Sequence, residues 1–260
     1  MTKILENEAF IWERYIRKFP DSNETEFRAK LKEYNSLKPF KASGNIFDSG
    51  QQMDDKVHYI MRLQVQYLLN KVFDAMLVDM SDPNVCEVLD AGNISTPGRL
   101  AKVWTGANTG DDTEMGCGRF MKKPRIATFP NDKKSSIPIT KQISITASCS
   151  HHFLPFDTKF AEDSYAIVSY IPDKFVLGIS KLQRLADFVC RRFWLQEDLT
   201  KALYTEISKA AQTKDVYVGL FNVKHTCEWL RGSKNPEGGF TSEYYDGAFL
   251  NAELRAQIRK

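Results

Sequence analysis

The chain has 260 residues, of which 42% are hydrophobic and 27% charged, a composition typical of ordinary folded proteins. Its net charge of +3 is too small to indicate a nucleic-acid-binding protein, and no uninterrupted apolar stretch is long enough to span a membrane. The N-terminal stretch has glutamates in its apolar part and no small-residue cleavage site, which excludes a secretory signal. We therefore expect neither a nucleic-acid partner nor a membrane partner.

The first part of the chain is predicted to be helical. Residues 1–53 are polar and charged with short amphipathic pieces, and they predict an N-terminal extension with one or two helices. From Asp54 to about Met80, apolar residues recur at steps of three and four, which predicts a helix. We place a second domain, the larger one, over residues 54–260.

A further helix start is predicted in the segment "STPGRLAKVW". Ser95 or Thr96 is suited to cap it, and Pro97 fits its first turn. Arg99 and Lys102 stand three positions apart, so a helix places both on one face.

The second half of the chain alternates between apolar and polar residues and predicts strands. The segments "QISITASC", "SYAIVSYIP" and "FVLGIS" have this period of two. Two helical segments follow, "SKLQRLADFVCRRF" and "EDLTKALYTEISKAA", and then the strand-like "DVYVGLFNVKHTCEWLRG", in which His225 and Cys227 share a face. The order of strands, paired helices and strand predicts an antiparallel α+β fold.

The chain has five cysteines, an odd number spread along its length, which does not suggest a disulfide framework. This usage is typical of a reducing, cytoplasmic location. Three of the four histidines lie within three positions of a cysteine, in two clusters at the ends of strand-like segments. The clustered residues are Cys149, His151, His152, His225 and Cys227.

Thiolate and imidazole ligands without a neighbouring carboxylate suit zinc better than magnesium, calcium or manganese. Five candidates exceed the four positions of tetrahedral zinc, so spacing alone leaves two interpretations open. Four protein ligands would make a structural site, whereas three would leave a position for an activated water. A surplus histidine beside the metal would then be available for proton transfer.

Several motifs, in order, resemble the GTP cyclohydrolase I family: "TPGRLAK", "CSHHFLPF", "YIPDKFVLGISKLQRLADF", "LQEDLT" and "HTCEWLRG". The resemblance covers roughly residues 55–257. It implies the tunnelling fold, in which an antiparallel four-stranded sheet carries two antiparallel helices. It also implies homodecamers built from pentamer rings, with active sites between subunits.

The activity that the resemblance implies is hydrolytic opening of the imidazole ring of GTP, which yields formate and 7,8-dihydroneopterin triphosphate. This step leads towards folate, pterin or deazaguanine compounds. By the same resemblance, Cys149, His152 and Cys227 would bind zinc. His151 would be the acid–base residue, and His225 a second proton-handling group.

The resemblance also implies the residues that bind GTP. Glu197 would accept hydrogen bonds from the guanine N1–H and amino group, with Gln196 beside it. The triphosphate would be bound by one hydroxyl and several cations, namely Ser180, Lys181, Arg184, Arg231, Arg99 and Lys102.

The sequence departs from the family pattern at several positions, among them Ser150, Trp194 and Asp198, which indicates a divergent member. Two rival interpretations stay open at this point. One is another tunnelling-fold enzyme acting on a purine or pterin, such as the nitrile reductase of the queuosine pathway. The other is a binding protein with a structural zinc and no turnover.

Overall fold

The computed structural model describes residues 6–51, 53–87, 94–106, 117–232 and 238–259. The chain divides into two compact units, residues 1–121 and 122–260. Among the described residues, no helix is both long enough and apolar enough to cross a membrane.

The first unit is mainly helical. Its helices and its one short strand pair are α1 (Glu6–Lys18), α2 (Glu24–Ser36), α3 (Asp55–Ala75), β1 (Cys86–Glu87), β2 (Ile94–Ser95) and α4 (Thr96–Thr105). The sequence predicted one or two helices in the first 53 residues, and the structure has two, α1 and α2. The predicted helix from Asp54 is also present, but it ends at Ala75 and not near Met80.

Side chains just before these helices satisfy the free N–H groups of their first turns. Asn23 caps α2, Asp54 caps α3 and Ser95 caps α4, each accepting a hydrogen bond from a backbone N–H three positions further on. The predicted start of α4, with Pro97 in its first turn, is confirmed.

Helices α1, α2 and α3 of the first unit share an apolar core. Ile11 and Tyr15 of α1 and Phe27 of α2 are buried together with Ile60 and Leu63 of α3. The N-terminal residues therefore pack onto the helix with which the predicted second domain begins. The boundary at residues 53 and 54 stays a prediction.

The second unit mixes strands and helices, as the predicted α+β pattern requires. Its elements are β3 (Thr128–Pro130), β4 (Ile139–Ile143), β5 (Thr146–Cys149), β6 (Pro155–Asp157), β7 (Tyr165–Tyr170), β8 (Phe175–Leu177), α5 (Ile179–Cys190), β9 (Phe193–Trp194), α6 (Gln196–Ala211), β10 (Val216–His225), α7 (Thr226–Leu230), β11 (Phe240–Tyr245) and α8 (Ala252–Ile258).

The long strands lie in the order β4–β7–β10–β11, and every neighbouring pair is antiparallel. The end of β10 also pairs with β6, which pairs with β5, and β9 runs parallel to β5. These pairings bring the ends of β5, β9 and β10 close together. Both Cys/His clusters lie at these ends.

Helices α5 and α6 contact each other, and each contacts the sheet. Of the apolar residues that predicted these helices, Ala210 is half-buried and the others are buried, namely Leu182, Leu185, Val189, Leu199, Leu203 and Ile207. The 3.6-residue period thus identified the correct buried face.

Two predicted strands are wrong in part. The segment "QISITASC" does not form one strand, because β4 ends at Ile143 and β5 begins at Thr146. The strand predicted through Cys227 ends early. Strand β10 ends at His225, and Cys227 lies in the short helix α7. The register of β10 with β11 also shifts between Leu220 and Val223, where Asn222 has φ = 49°. Alternation of apolar residues predicts neither a bulge nor a strand-to-helix change, because both depend on neighbouring strands.

Candidate active site

The segment from Cys149 to Leu154 forms a tight loop after β5. The Cys149 N–H donates to the Leu154 carbonyl at 2.7 Å, and the Phe153 N–H donates to the Cys149 carbonyl at 2.8 Å. Phe153 has φ = 55°, in the left-handed region that non-glycine residues seldom occupy. The Ser150 N–H donates to the Trp194 carbonyl at 3.0 Å, which ties the loop to β9.

This loop and α7 bring three metal-ligating side chains together. The ligand atoms of Cys149, His152 and Cys227 all lie within 4.8 Å of one another. The Cys149 Sγ and His152 Nδ1 atoms are 3.8 Å apart. Sulfur and nitrogen ligands on one tetrahedral zinc ion stand about 3.6 Å apart, so this group fits such an ion with little adjustment.

The two thiols influence each other. Burial and the neighbouring Cys149 thiol raise the pKa of Cys227 to about 11. Two thiolates side by side are unfavourable without a cation, whereas a divalent metal stabilises the deprotonated form. The pair therefore suits metal coordination better than reactive-thiol chemistry.

The two adjacent histidines differ in their surroundings. His152 faces the cysteines, whereas His151 is not part of the three-ligand group. Their rings are nearly perpendicular, with centroids 6.1 Å apart, and both residues are exposed. His151 is thus an imidazole next to the metal-ligating group.

The third imidazole of the two clusters, His225, is more enclosed than the other two. Its ring stacks on Phe156, with centroids 4.4 Å apart and an angle of 10° between planes. Its Nε2 lies 2.8 Å from the Gln196 Oε1. Burial lowers the pKa of His225, although the Glu228 and Glu197 carboxylates act in the opposite direction. Burial thus favours the neutral form of the ring over the charged one.

The two cysteines and three histidines of the clusters all line one cavity of about 520 Å³. Gln196, Glu197 and Arg231 line it as well. Its volume lies within the range of small-molecule sites, and it combines a metal-ligating group, two imidazoles, two carboxylates and a guanidinium. This set of groups can bind a polar anionic ligand and move protons on it.

The comparison with known families is decisive at this point, because the profile of GTP cyclohydrolase I matches residues 72–260. The chain belongs to the GTP cyclohydrolase I family. The resemblance noted in the motifs is confirmed.

Relatives named GTP cyclohydrolase 1 match over most of the chain. The one from Haemophilus ducreyi is 29% identical over 191 residues, 73% of this chain and 78% of the relative. The one from Wigglesworthia glossinidia brevipalpis is 30% identical over 196 residues, 73% of this chain and 79% of the relative. The one from Flavobacterium johnsoniae is 29% identical over 164 residues, 63% of this chain and 68% of the relative. Identities at this level are consistent with a divergent family member.

Not all predicted site residues of this family member line the cavity. Ser180, Lys181 and Arg184 lie on α5 in the second unit and are not among its described lining residues. Arg99 and Lys102 lie on α4 in the first unit, where both are exposed. The phosphate-binding role of these five residues stays a prediction.

Several cavity residues escaped the sequence analysis. Phe240, Leu195 and Glu228 line the cavity, and Phe156 supports His225 from beneath. Trp194, noted only as a departure from the family pattern, also lines it, and its indole N–H donates to the Val189 carbonyl at 2.8 Å. Phe156 is part of the motif "CSHHFLPF", so the sequence could have indicated that it lies beside the site. No motif indicated the position of Phe240.

Proposed function

We propose that this protein hydrolyses GTP, opening the guanine imidazole ring and releasing C8 as formate to give 7,8-dihydroneopterin triphosphate. Family membership supports this reaction, as do the relatives named GTP cyclohydrolase 1. The single observation that carries the proposal is one cavity lined by the Cys/His/Cys group, two further imidazoles and Glu197. Consumption of GTP and one water balances formate and the pterin product.

We propose zinc as the metal of the Cys149, His152 and Cys227 group. Two sulfurs and one nitrogen at the observed separations suit zinc and leave a fourth position without a protein ligand from this group. Zinc supplies Lewis acidity and activates water at neutral pH.

His151 is proposed to be the acid–base residue. It is exposed at the cavity and adjacent to the metal-ligating His152, so it can reach a substrate held there. Its imidazole would donate a proton to the purine nitrogen as the C8–N bond breaks. His225, held against Phe156, would be the second proton-handling group.

Glu197 is proposed to select guanine. Its carboxylate is exposed at the cavity in the first turn of α6. Guanine presents two adjacent donors, N1–H and the amino group, and a carboxylate can accept from both. Adenine lacks this pair of donors, so the contact would discriminate between the two bases.

Cations are proposed to bind the triphosphate. Arg231 lines the cavity, and its guanidinium can bind phosphate through two hydrogen bonds. Ser180, Lys181, Arg184, Arg99 and Lys102 are proposed to complete the phosphate site in the assembled protein.

The assembly is proposed to be a homo-oligomer of pentamer rings, a decamer with active sites between subunits. Phe153, Trp229, Leu230 and Phe240 are exposed on loop and element ends near the site residues in sequence, and exposed apolar groups of this kind favour an interface. We further propose that β4, β7, β10 and β11, with α5 and α6, form the tunnelling-fold unit of the family. A cytoplasmic location remains a prediction from cysteine usage.

The proposal is tested by incubating the zinc-loaded protein with GTP and measuring formate together with pterin fluorescence after oxidation. We expect equal amounts of both, loss of both on chelation of the metal, and recovery on addition of zinc. Bound zinc with no product from GTP would contradict the proposal and favour a structural zinc. Consumption of NADPH with a deazapurine nitrile would favour the reductase interpretation.

A further inference from the structure

The side chain of Gln196 is almost completely buried, with 2% of its surface exposed, although it borders the cavity. Its amide nitrogen lies 3.0 Å from the Phe240 carbonyl oxygen and 3.0 Å from the Ser242 Oγ. Its amide oxygen lies 2.8 Å from the Nε2 of His225. Both amide hydrogens and the amide oxygen thus have partners within the protein.

The neighbouring hydroxyls fix the orientation of this amide. The Thr200 hydroxyl donates to the Gln196 backbone carbonyl at 2.8 Å, so it can only accept from Ser242, whose Oγ is 2.6 Å away. Ser242 therefore donates its hydroxyl hydrogen to the Thr200 oxygen, and the Ser242 oxygen accepts a hydrogen bond from the Gln196 amide N–H. The Phe240 carbonyl can only accept. The NH₂ group must therefore face β11, and the oxygen must face His225.

An amide oxygen can only accept a hydrogen bond, so the Nε2 of His225 must donate it. A neutral imidazole has one N–H, which leaves Nδ1 as the nitrogen with a free lone pair. Stacking on Phe156 restrains the plane of the ring, and the bond to Gln196 restrains its rotation in that plane.

We propose that Gln196 is a positioning residue, which holds His225 in the Nε2–H form so that Nδ1 faces the substrate as a hydrogen-bond acceptor. The inference rests on the proposed function of the site and refines it. In this assignment Gln196 acts through His225, because both of its amide hydrogens are already donated within the protein.

The test uses the zinc-loaded full-length protein with ¹⁵N-labelled histidine, observed by solid-state NMR. The chain has only four histidines, and the His225→Asn variant identifies the signals of His225. We expect a proton on Nε2 and none on Nδ1 in the wild type. In Gln196→Met, which has no amide, we expect a mixture of both neutral forms.

Kinetics on the same samples separate positioning from direct substrate contact. We expect kcat of Gln196→Met to fall about 100-fold, the usual contribution of a correctly oriented acid–base group, with KM for GTP and zinc content nearly unchanged. The matched control is Gln142→Met, on the exposed side of β4, which should leave both the spectrum and kcat unaltered.

A proton on Nδ1 of His225 in the wild type would overturn the inference, and this result stands even if Gln196→Met fails to fold. A large rise in KM with kcat unchanged would also overturn it, because it would indicate direct binding of GTP by Gln196. If the wild type forms no formate from GTP, the proposed function fails, while the NMR spectrum still decides the form of His225.

Discussion

At the scale of single residues, the proposed chemistry centres on the group of Cys149, His152 and Cys227. Cys149 ends a buried strand, His152 lies in the tight loop after it, and Cys227 lies in the first turn of the helix after β10. Cys149 and His152 share one loop, whereas Cys227 comes from a distant part of the chain, so their meeting depends on the pairing of β10 with β6 and of β6 with β5. Removal of one ligand should therefore affect the metal and not the fold alone.

Cys227→Ala should remove zinc and turnover together, because two protein ligands do not hold the ion tightly. Zinc content measured by atomic emission and formate release from GTP check this expectation. The control is Cys86→Ala in the first unit, which should retain both. Full activity of Cys227→Ala without bound metal would contradict the assignment.

His151→Ala should retain zinc and lose about 100-fold or more in kcat, because an acid–base group is removed and no ligand is. The comparison is His152→Ala, which should lose the metal. If His151→Ala instead loses zinc while His152→Ala keeps it, the roles of the two histidines are exchanged.

Glu197→Gln should weaken GTP binding about 10- to 100-fold, because one charge-assisted contact to the guanine donors is replaced by an amide. Binding of inorganic tripolyphosphate, measured by calorimetry, should change little. Equal losses for both ligands would deny a role for Glu197 in reading the base.

At the scale of elements, local periodicity predicted the helices well and the last strand poorly. The apolar residues of α5 and α6 repeat with the helical period and are buried as expected. The bulge at Asn222 and the start of α7 at Thr226 depend on partners far along the chain; for example, the Thr226 hydroxyl donates to the Pro155 carbonyl. Local sequence carries no signal for such contacts.

The same distinction applies to the site. The motifs around Cys149 and Cys227 predicted the ligand types, because residue identity alone limits the metals that can bind. The orientation of Gln196 could not be predicted, because it depends on Ser242, 46 positions further on, and on the Phe240 carbonyl. Geometry set by distant backbone requires the folded structure.

Helix α6 carries Gln196 and Glu197 at its start, and Leu203 anchors it in the core with no exposed surface. Leu203→Ala should reduce the free energy of unfolding by about 2–5 kcal/mol, through lost burial and the cavity left behind. Denaturant unfolding checks this value. Lys209→Ala, which removes an exposed ion pair with Glu206, should cost about 0.5 kcal/mol or less. Equal effects would contradict the predicted role of Leu203.

At the scale of the whole molecule, helices α1 and α2 pack against α3 of the first unit. Ile11, Tyr15 and Phe27 cover Ile60 and Leu63 of α3, and Lys56 of α3 forms an ion pair with Glu26 of α2. The sequence left open whether this N-terminal segment contributes to the stability of the catalytic part or is only an appendage to it. Its packing favours a structural contribution.

A chain that begins at residue 54 should therefore be less stable, because removal of α1 and α2 exposes apolar residues of α3 to water. We expect a lower Tm and association of the shortened chain, measured by scanning calorimetry and light scattering. An unchanged Tm would show that the N-terminal helices contribute nothing to the stability of the first unit.

The central claim is that the cavity opens the guanine ring at C8, and [8-¹³C]GTP tests it most directly. The zinc-loaded protein is mixed with this substrate and followed by ¹³C NMR. The proposed function predicts that the labelled carbon leaves as ¹³C-formate in an amount equal to the GTP consumed. GTP consumed with the label retained in a purine, or no consumption by fully zinc-loaded protein, would contradict it.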